Sequence, residues 1–174
     1  MVHFNTGRNS RDVDSIIQDV DNSLSMLIAN GVENIMMMNL PDLTKTPSIL
    51  YHLKKNDPVE LGYKIQDYNN KLVKLVASKR MDGVKVFDLY SLMSAMLNNP
   101  SEYGFENTTQ ACLNINDDNS TNYIKNPLGS AWGFRSTCYD PNKFVFWDIL
   151  HPTTHAHNEI AIAVADFIHK NYNM

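Results

Sequence analysis

The sequence has no long hydrophobic segment and no excess of positive charge. Its 174 residues contain 15 lysines and arginines against 19 aspartates and glutamates, which gives a net charge of −4. Nucleic-acid-binding faces need clustered basic side chains, so this balance argues against nucleic acid as a partner. No apolar run approaches the roughly 20 residues that a membrane-spanning helix requires. We therefore expect no transmembrane segment.

Cysteine is also scarce, with two residues, Cys112 and Cys138. Two cysteines can be free core thiols or one disulfide. The polar stretch between them predicts a long loop, which a crosslink at its base would stabilise. We favour the disulfide, and with it a secreted or extracytoplasmic location, because disulfides persist in oxidising compartments.

The composition, 43% hydrophobic and 20% charged, is that of an ordinary globular protein, and the length fits one domain. Apolar residues at helical spacing predict four helices, over residues 11–30, 57–79, 89–97 and 153–172. Two short apolar runs predict buried strands, over residues 33–39 and 84–87. Residues 44–56 are expected to form a loop that belongs to a pocket wall, and residues 101–145 one long excursion. This order of elements predicts an α/β fold with a parallel sheet.

The segment Phe146–Thr153 places an aspartate three residues before a histidine, in an apolar and aromatic setting. A histidine that acts as general base needs an acceptor on its second ring nitrogen, which is usually a carboxylate. Asp148 and His151 on one tight loop can supply both groups. Pro152 suits the first turn of a following helix, which would leave the His151 ring free to point into a cleft. Because Asp-x-x-His is a common pattern, spacing alone favours an ordinary loop aspartate near an ordinary surface histidine.

Several segments, in the right order, resemble those of the GDSL esterases and lipases, also called SGNH hydrolases. The Phe-Trp-Asp and His-Pro-Thr tripeptides within 146–153 resemble the last block of that family. The other segments of similar sequence are Asn39–Leu43 with Thr46-Pro47, Asn69–Leu72, Val86–Tyr90, Asn99-Pro100, Tyr103–Phe105 and the pair Cys112 and Cys138. The resemblance runs from about residue 11 to the end, and is strongest to bacterial secreted lipases, lysophospholipases and acyltransferases.

The resemblance implies a three-layer α/β/α, flavodoxin-like SGNH hydrolase fold, with residues 1–174 forming the C-terminal part of one domain. It implies Asp148 and His151 as two members of a Ser-His-Asp triad, an ester or phospholipid substrate, and no cofactor or metal. The family's nucleophilic serine lies in a Gly-Asp-Ser block, and this sequence contains no such tripeptide. Gly7–Ser10 resembles the family's Gly-x-Asn-Asp block only faintly, and no strand is predicted before it. This chain is therefore expected to be either one piece of a divided enzyme, whose serine lies on a second chain, or an inactive truncated or degenerate copy.

Two other interpretations of the sequence compete with that of a hydrolase. His151, His155 and His157 form a histidine-rich run that could bind a metal, although residues two apart on a helix point to different sides. A non-enzymatic interaction subunit could retain Asp148 and His151 unused. The serines at positions 10, 48, 91, 130 and 136 lack the Gly-x-Ser-x-Gly context of a nucleophile and are interpreted as structural.

Overall fold

The computed structural model describes residues 12–51, 57–79, 82–113 and 138–172. Along these residues the α-helices and β-strands are α1 (Val13–Ala29), β1 (Ile35–Met38), α2 (Pro47–Tyr51), α3 (Pro58–Ser78), β2 (Val84–Phe87), α4 (Leu89–Asn98), β3 (Asn107–Ala111), β4 (Phe144–Phe146) and α5 (Thr154–Asn171). Some of the predictions concern residues outside these ranges: the similarity at Gly7–Ser10, the serines at positions 10, 130 and 136, and the polar stretch over residues 114–137. None of the described helices is long and apolar enough to cross a membrane.

Strands β1 and β2 pair in parallel with a regular register from Ile35 opposite Val84 to Met38 opposite Phe87. Helices α1 and α3 cover one face of the pair, where Ile35 and Val84 share a core with residues of both helices. On the opposite face the ring of Phe87 packs edge-on against Phe167 of α5, with 5.5 Å between the ring centroids. The parallel α/β fold with helices on both faces confirms the predicted fold class.

Local sequence signals explain where the helices begin and end. Asp57 caps α3 by accepting hydrogen bonds from the N–H groups of Val59 and Glu60, and Pro58 occupies the first turn, where its missing N–H costs nothing. After α1, Gly31 adopts a φ of 84°, the left-handed conformation with which many helices end. Gly83, directly before β2, packs against the main chain of Glu33. A Cβ at this position would lie 2.0 Å from the Glu33 carbonyl oxygen, so only glycine fits.

Two sequence predictions about irregular segments are wrong. The expected excursion over residues 101–145 contains β3 and β4, which pair in parallel with an irregular register. Strand β3 escaped prediction because its sequence, Asn-Thr-Thr-Gln-Ala, has no apolar alternation, and β4 has only three residues. The expected loop over residues 44–56 contains the short helix α2.

The predicted disulfide between Cys112 and Cys138 is present. Both cysteines are buried beside Phe144, with Trp147 packed against them. The bond therefore ties the end of β3 to the segment that leads into β4.

Reduction of this disulfide should destabilise the protein by about 3–4 kcal/mol, because it releases the loop-closure constraint on the unfolded chain. The bond closes a sequence separation of 26 residues. Urea unfolding with and without dithiothreitol measures the effect, and a Cys112→Ser, Cys138→Ser double variant should lose the same stability and ignore the reductant. Equal unfolding midpoints for the wild type in both conditions would contradict the prediction.

The carboxyl ends of β1 and β2 are joined by side chains. The buried Asn39 donates its amide N–H to Asp88 Oδ1 at 2.8 Å and accepts the Tyr90 N–H at 2.8 Å. Asp88 also caps α4 by accepting a hydrogen bond from the N–H of Ser91 at 3.0 Å. Partial burial raises the pKa of Asp88, but hydrogen bonds from Ser91 and Asn39 outweigh it and hold that pKa below its ordinary value.

The Asp88→Ala variant should therefore lose about 1 kcal/mol of stability at neutral pH, the usual cost of removing a helix cap. Solvent screening keeps the loss at this modest level, since Asp88 is only partly buried and remains accessible to water. Because the folded pKa is depressed, the contribution is present above the ordinary pKa of 3.8 and disappears as the pH falls through the folded value. Urea unfolding of both proteins at pH 7 and pH 2.5 tests this, and a stability difference that grows in acid would contradict it.

Candidate active site

The loop between β4 and α5 carries the predicted pair of residues and is closed by its own main chain. The Trp147 N–H donates to the His151 carbonyl at 2.8 Å, and the Thr153 N–H donates to the Val145 carbonyl at 2.9 Å. Phe146 and Pro152 form an antiparallel bridge across the loop. These contacts fix residues 147–152 as a compact turn between a buried strand and a helix.

The helix after the loop begins later than expected. Thr153, not Pro152, is the boundary residue, because its buried hydroxyl accepts from the Ala156 N–H at 3.2 Å and caps α5. The same hydroxyl donates to the Phe144 carbonyl at 2.7 Å. Pro152 therefore precedes the cap, which corrects its predicted place in the first turn. The prediction that His151 lies just before the helix is retained.

Asp148 and His151 are brought together by the structure. Asp148 Oδ2 lies 2.8 Å from His151 Nδ1. The other carboxylate oxygen, Oδ1, accepts the N–H of Leu150 at 2.8 Å and the N–H of His151 at 2.6 Å. Aspartate side chains often accept main-chain N–H groups two and three residues ahead in turns, and this is the signal that makes Asp-x-x-His a compact unit.

The two side chains differ sharply in exposure. The Asp148 side chain is 4% exposed, whereas that of His151 is 56% exposed. The carboxylate is thus buried against its three hydrogen-bond partners, while the ring reaches solvent. With Nδ1 held by the carboxylate, Nε2 has no hydrogen-bond partner among the described residues.

A large apolar cavity of about 890 Å³ opens beside His151. Its walls come from the end of β1, the start of α3, α4, α5 and the segment 40–49. The apolar lining residues are Met38, Leu40, Pro41, Leu43, Ile49, Leu61, Leu89, Met93, Leu97, Phe146, Leu150, Pro152 and Ile160. The pocket-wall role predicted for the 44–56 segment is confirmed at Thr46, Ser48 and Ile49.

The pocket wall and the loop over residues 147–152 are joined by a hydrogen bond that has no sequence signal. The Ser48 N–H at the start of α2 donates to the Ile149 carbonyl at 2.8 Å. Ser48, interpreted as structural, therefore lies in the same pocket wall as His151. Neither the pairing of Ser48 with the loop nor the cavity has a local sequence signal, since both arise from segments about 100 residues apart.

The three histidines of the 151–157 run have different surroundings. His155 Nε2 is bonded to the Tyr103 carbonyl at 2.8 Å, and its ring packs edge-on against Phe105. His157 is exposed and lines the cavity with His151. Across the residues that the structure describes, no three histidine, cysteine, aspartate or glutamate side chains are grouped so as to hold a metal ion.

The class of protein follows from comparison with known families. The family model of the GDSL-like lipases and acylhydrolases matches residues 2–164. The chain belongs to this family. Membership agrees with the parallel α/β fold.

Individual relatives cover the chain almost completely. The thermolabile hemolysin of Vibrio parahaemolyticus is 31% identical over 156 residues, which is 87% of this chain and 36% of the hemolysin. The phosphatidylcholine-sterol acyltransferase of Aeromonas hydrophila is 26% identical over 198 residues, covering 97% of this chain and 57% of the acyltransferase. The anther-specific proline-rich protein APG of Arabidopsis thaliana is 28% identical over 185 residues, which cover 97% of this chain and 33% of the APG protein. The chain thus spans between a third and somewhat over half of these relatives.

Proposed function

We propose that this chain supplies the Asp-His part of the Ser-His-Asp triad of a carboxylic ester hydrolase that acts on lipid esters. The observation that carries the proposal is the 2.8 Å contact between Asp148 Oδ2 and His151 Nδ1, with the ring exposed beside an apolar cavity. A carboxylate on Nδ1 keeps the proton there and leaves Nε2 as the acceptor that a general base requires.

The reaction would proceed by acyl transfer. A serine hydroxyl attacks the ester carbonyl while Nε2 of His151 takes its proton, and the alcohol leaves with that proton. Water then attacks the acyl-serine while His151 accepts its proton, and the acid is released as that proton passes from His151 to the serine oxygen. Asp148 orients the ring and stabilises the imidazolium formed in each step. The apolar cavity offers an acyl chain a site out of water, next to the reacting ring.

The mechanism needs a serine nucleophile, which in this family lies in a Gly-Asp-Ser tripeptide. These 174 residues contain no such tripeptide. We infer that a Gly-Asp-Ser segment outside these 174 residues supplies the serine. The disulfide supports an extracytoplasmic or secreted location for the assembled enzyme.

Hydrolysis of a nitrophenyl ester by the chain alone and by the chain mixed with a Gly-Asp-Ser-bearing part of a family member tests this function. Activity only in the mixture supports the proposal. No activity in either case favours the alternative of an inactive remnant or interaction subunit. Full activity of the chain alone would contradict the assignment of the serine, and Ser48 would be the first residue to replace.

Substrate chain length is a second measurement on the active mixture. Esters of long acyl chains should be hydrolysed with a lower KM than acetate esters, because each buried methylene contributes about 0.8 kcal/mol of transfer free energy. A KM independent of chain length would contradict the assignment of the cavity to the acyl group.

A further inference from the structure

A second, smaller pocket lies on the opposite side of the first turns of α3 from the large cavity. Its volume is about 180 Å³. Residues 57, 60, 61 and 64 line the large cavity, whereas residues 58, 59, 62, 63, 65 and 66 line the small pocket. Among the described residues, Asp42 alone lines both. Pockets for whole drug-sized ligands measure about 300–1,000 Å³, so this pocket fits only a ligand of headgroup size.

A glycine in the wall of this pocket is not required by the fold. Gly62 lies inside α3, where glycine is less favourable than any residue except proline. A Cβ at this position would have the Thr44 methyl group as its nearest neighbour, at 3.7 Å, which is an ordinary van der Waals contact. Thr44 also lines the pocket, so the added methyl group would take up part of its space. Gly62 therefore keeps the pocket open although it weakens the helix.

The polar groups of the pocket favour a cation. Asp42 Oδ1 accepts hydrogen bonds from the N–H and the hydroxyl of Thr44, at 3.1 and 2.5 Å. The other carboxylate oxygen, Oδ2, has no hydrogen-bond partner among the described residues. The described lining includes no lysine, arginine or histidine, so an anion would meet an uncompensated carboxylate. A metal ion would lack further ligands, because no three suitable side chains are grouped in the described part of the chain.

Two tyrosine rings supply an apolar surface in the same pocket. Tyr63 lies on α3 and Tyr90 in the first turn of α4, and both line the pocket. Tyr63 is 68% exposed, which leaves its ring accessible to a ligand. Aromatic rings attract cations within about 6 Å, and they commonly recognise quaternary ammonium groups in this way. Such a group is less strongly hydrated than the ammonium of a primary amine, so it loses less when rings replace water.

We propose that this pocket binds a quaternary ammonium group, the trimethylammonium of free choline or of a lipid headgroup. Gly62 leaves room for the methyl groups, Tyr63 and Tyr90 contact them, and Asp42 compensates the charge. The site is independent of the proposed ester hydrolysis, because it includes neither Asp148 nor His151 and no bond forms or breaks in it. A binding experiment on this chain therefore tests it whether or not the triad is correct.

An NMR titration of the nitrogen-15-labelled chain with choline chloride, at constant ionic strength, tests the site directly. We expect saturable shifts of the Gly62, Tyr63 and Tyr90 amide signals, with a Kd of about 1–10 mM, because exposed cation–π contacts are individually weak. The matched control ligand is 3,3-dimethylbutan-1-ol, which has the shape of choline without its charge. It should bind at least 10-fold more weakly. Absence of saturable shifts at about 100 mM choline, or equal binding of the neutral alcohol, would overturn the proposal.

The Gly62→Ala variant separates binding from folding. Alanine is the best helix former, so the substitution should raise the Tm by about 2–4 °C. Its methyl group in the pocket should nevertheless raise the Kd for choline at least fivefold. Weaker binding by a more stable protein cannot result from misfolding. A Gly62→Ala variant that binds choline as tightly as the wild type would refute the assignment of the ligand to this pocket.

Two substitutions of Tyr63 separate the ring from its hydroxyl group. Tyr63→Phe keeps the aromatic face and should leave the Kd for choline within about twofold of the wild type. Tyr63→Ala removes the face and should raise the Kd at least fivefold. The Tm should change little in either variant, because Tyr63 is exposed. Equal Kd values for the two variants would contradict a cation–π contact.

Asp42→Asn tests the charge. The asparagine oxygen can still accept the two hydrogen bonds from Thr44, while the negative charge is lost. We expect the Kd for choline to rise at least threefold with little change in the Tm. An unchanged Kd would contradict the role of the carboxylate.

Soluble headgroups distinguish the two sources of the ligand. If the site serves lipids, glycerophosphocholine should bind at least as tightly as choline. Weaker binding of glycerophosphocholine would identify free choline as the ligand, because the phosphate is then repelled by Asp42. Glycerophosphoglycerol, which has no ammonium group, should produce no saturable shifts at Gly62, Tyr63 or Tyr90. Binding of glycerophosphoglycerol as tight as that of choline would overturn the proposal.

Discussion

Replacing His151 with alanine should lower kcat of the assembled enzyme by roughly 10⁵-fold, because the serine then has no base and the leaving alcohol has no acid. The fold should persist. The His151 side chain is 56% exposed, and Asp148 keeps its two main-chain hydrogen bonds to Leu150 and residue 151. Single-turnover kinetics with a nitrophenyl ester, on variant and wild type at equal concentration, measure the loss.

His169→Ala is the matched control for that variant. His169 lies on α5, is exposed, and bonds only locally to the Ala165 carbonyl among the described residues. Its replacement should leave kcat within about threefold of the wild type, as expected for a surface change away from the site. Retention of activity by His151→Ala, or an equal loss in both variants, would contradict the role of His151.

Replacing Asp148 with asparagine should lower kcat by about 10⁴-fold at neutral pH, the loss expected when the carboxylate of a triad is exchanged for an amide. The reason lies in the two N–H groups of Leu150 and His151 that converge on Oδ1. They require an acceptor, so the amide oxygen of asparagine must occupy that position. Its NH₂ group then faces Nδ1 of His151, which places the ring proton on Nε2 and removes the base.

A second substitution at the same position separates tautomer control from stability. Asp148→Ala should lose activity to a similar degree, but it should also be destabilised by roughly 1–3 kcal/mol, because the partly buried N–H groups of Leu150 and His151 lose their acceptor. Asp148→Asn satisfies those groups and should unfold at nearly the wild-type urea concentration. Full activity of Asp148→Asn would show that the carboxylate does not set the tautomer.

Much of the fold was predictable because its determinants are local. Regular apolar spacing indicated α1 and α3, Asp57 and Pro58 marked the start of α3, and Gly31 followed the end of α1. Strand β3 was not predictable, because its polar residues are held by pairing with β4 and by the disulfide at Cys112. That stabilisation depends on tertiary contacts, which apolar periodicity does not report.

The candidate site likewise has one part that local sequence predicts and one part that depends on tertiary packing. Asp148 and His151 are three residues apart, so one turn of the chain joins them and a short sequence motif can predict the pair. The cavity is assembled from β1, α3, α4 and α5, and its existence depends on how these elements pack. The Asn69 side chain bonds both main-chain groups of Leu40, 29 residues away, and this contact likewise has no local sequence signal.

The tautomer of His151 can be measured in this chain by itself, with neither a partner nor a substrate, and it decides whether Asp148 holds the ring as a general base requires. Nitrogen-15 NMR of histidine-labelled protein at neutral pH, with His151→Ala used to assign the signals, reads the two ring nitrogens separately. We expect a proton on Nδ1 and none on Nε2, with the reverse arrangement in Asp148→Asn. A wild-type ring protonated on Nε2 alone, or the same tautomer in both proteins, would contradict it.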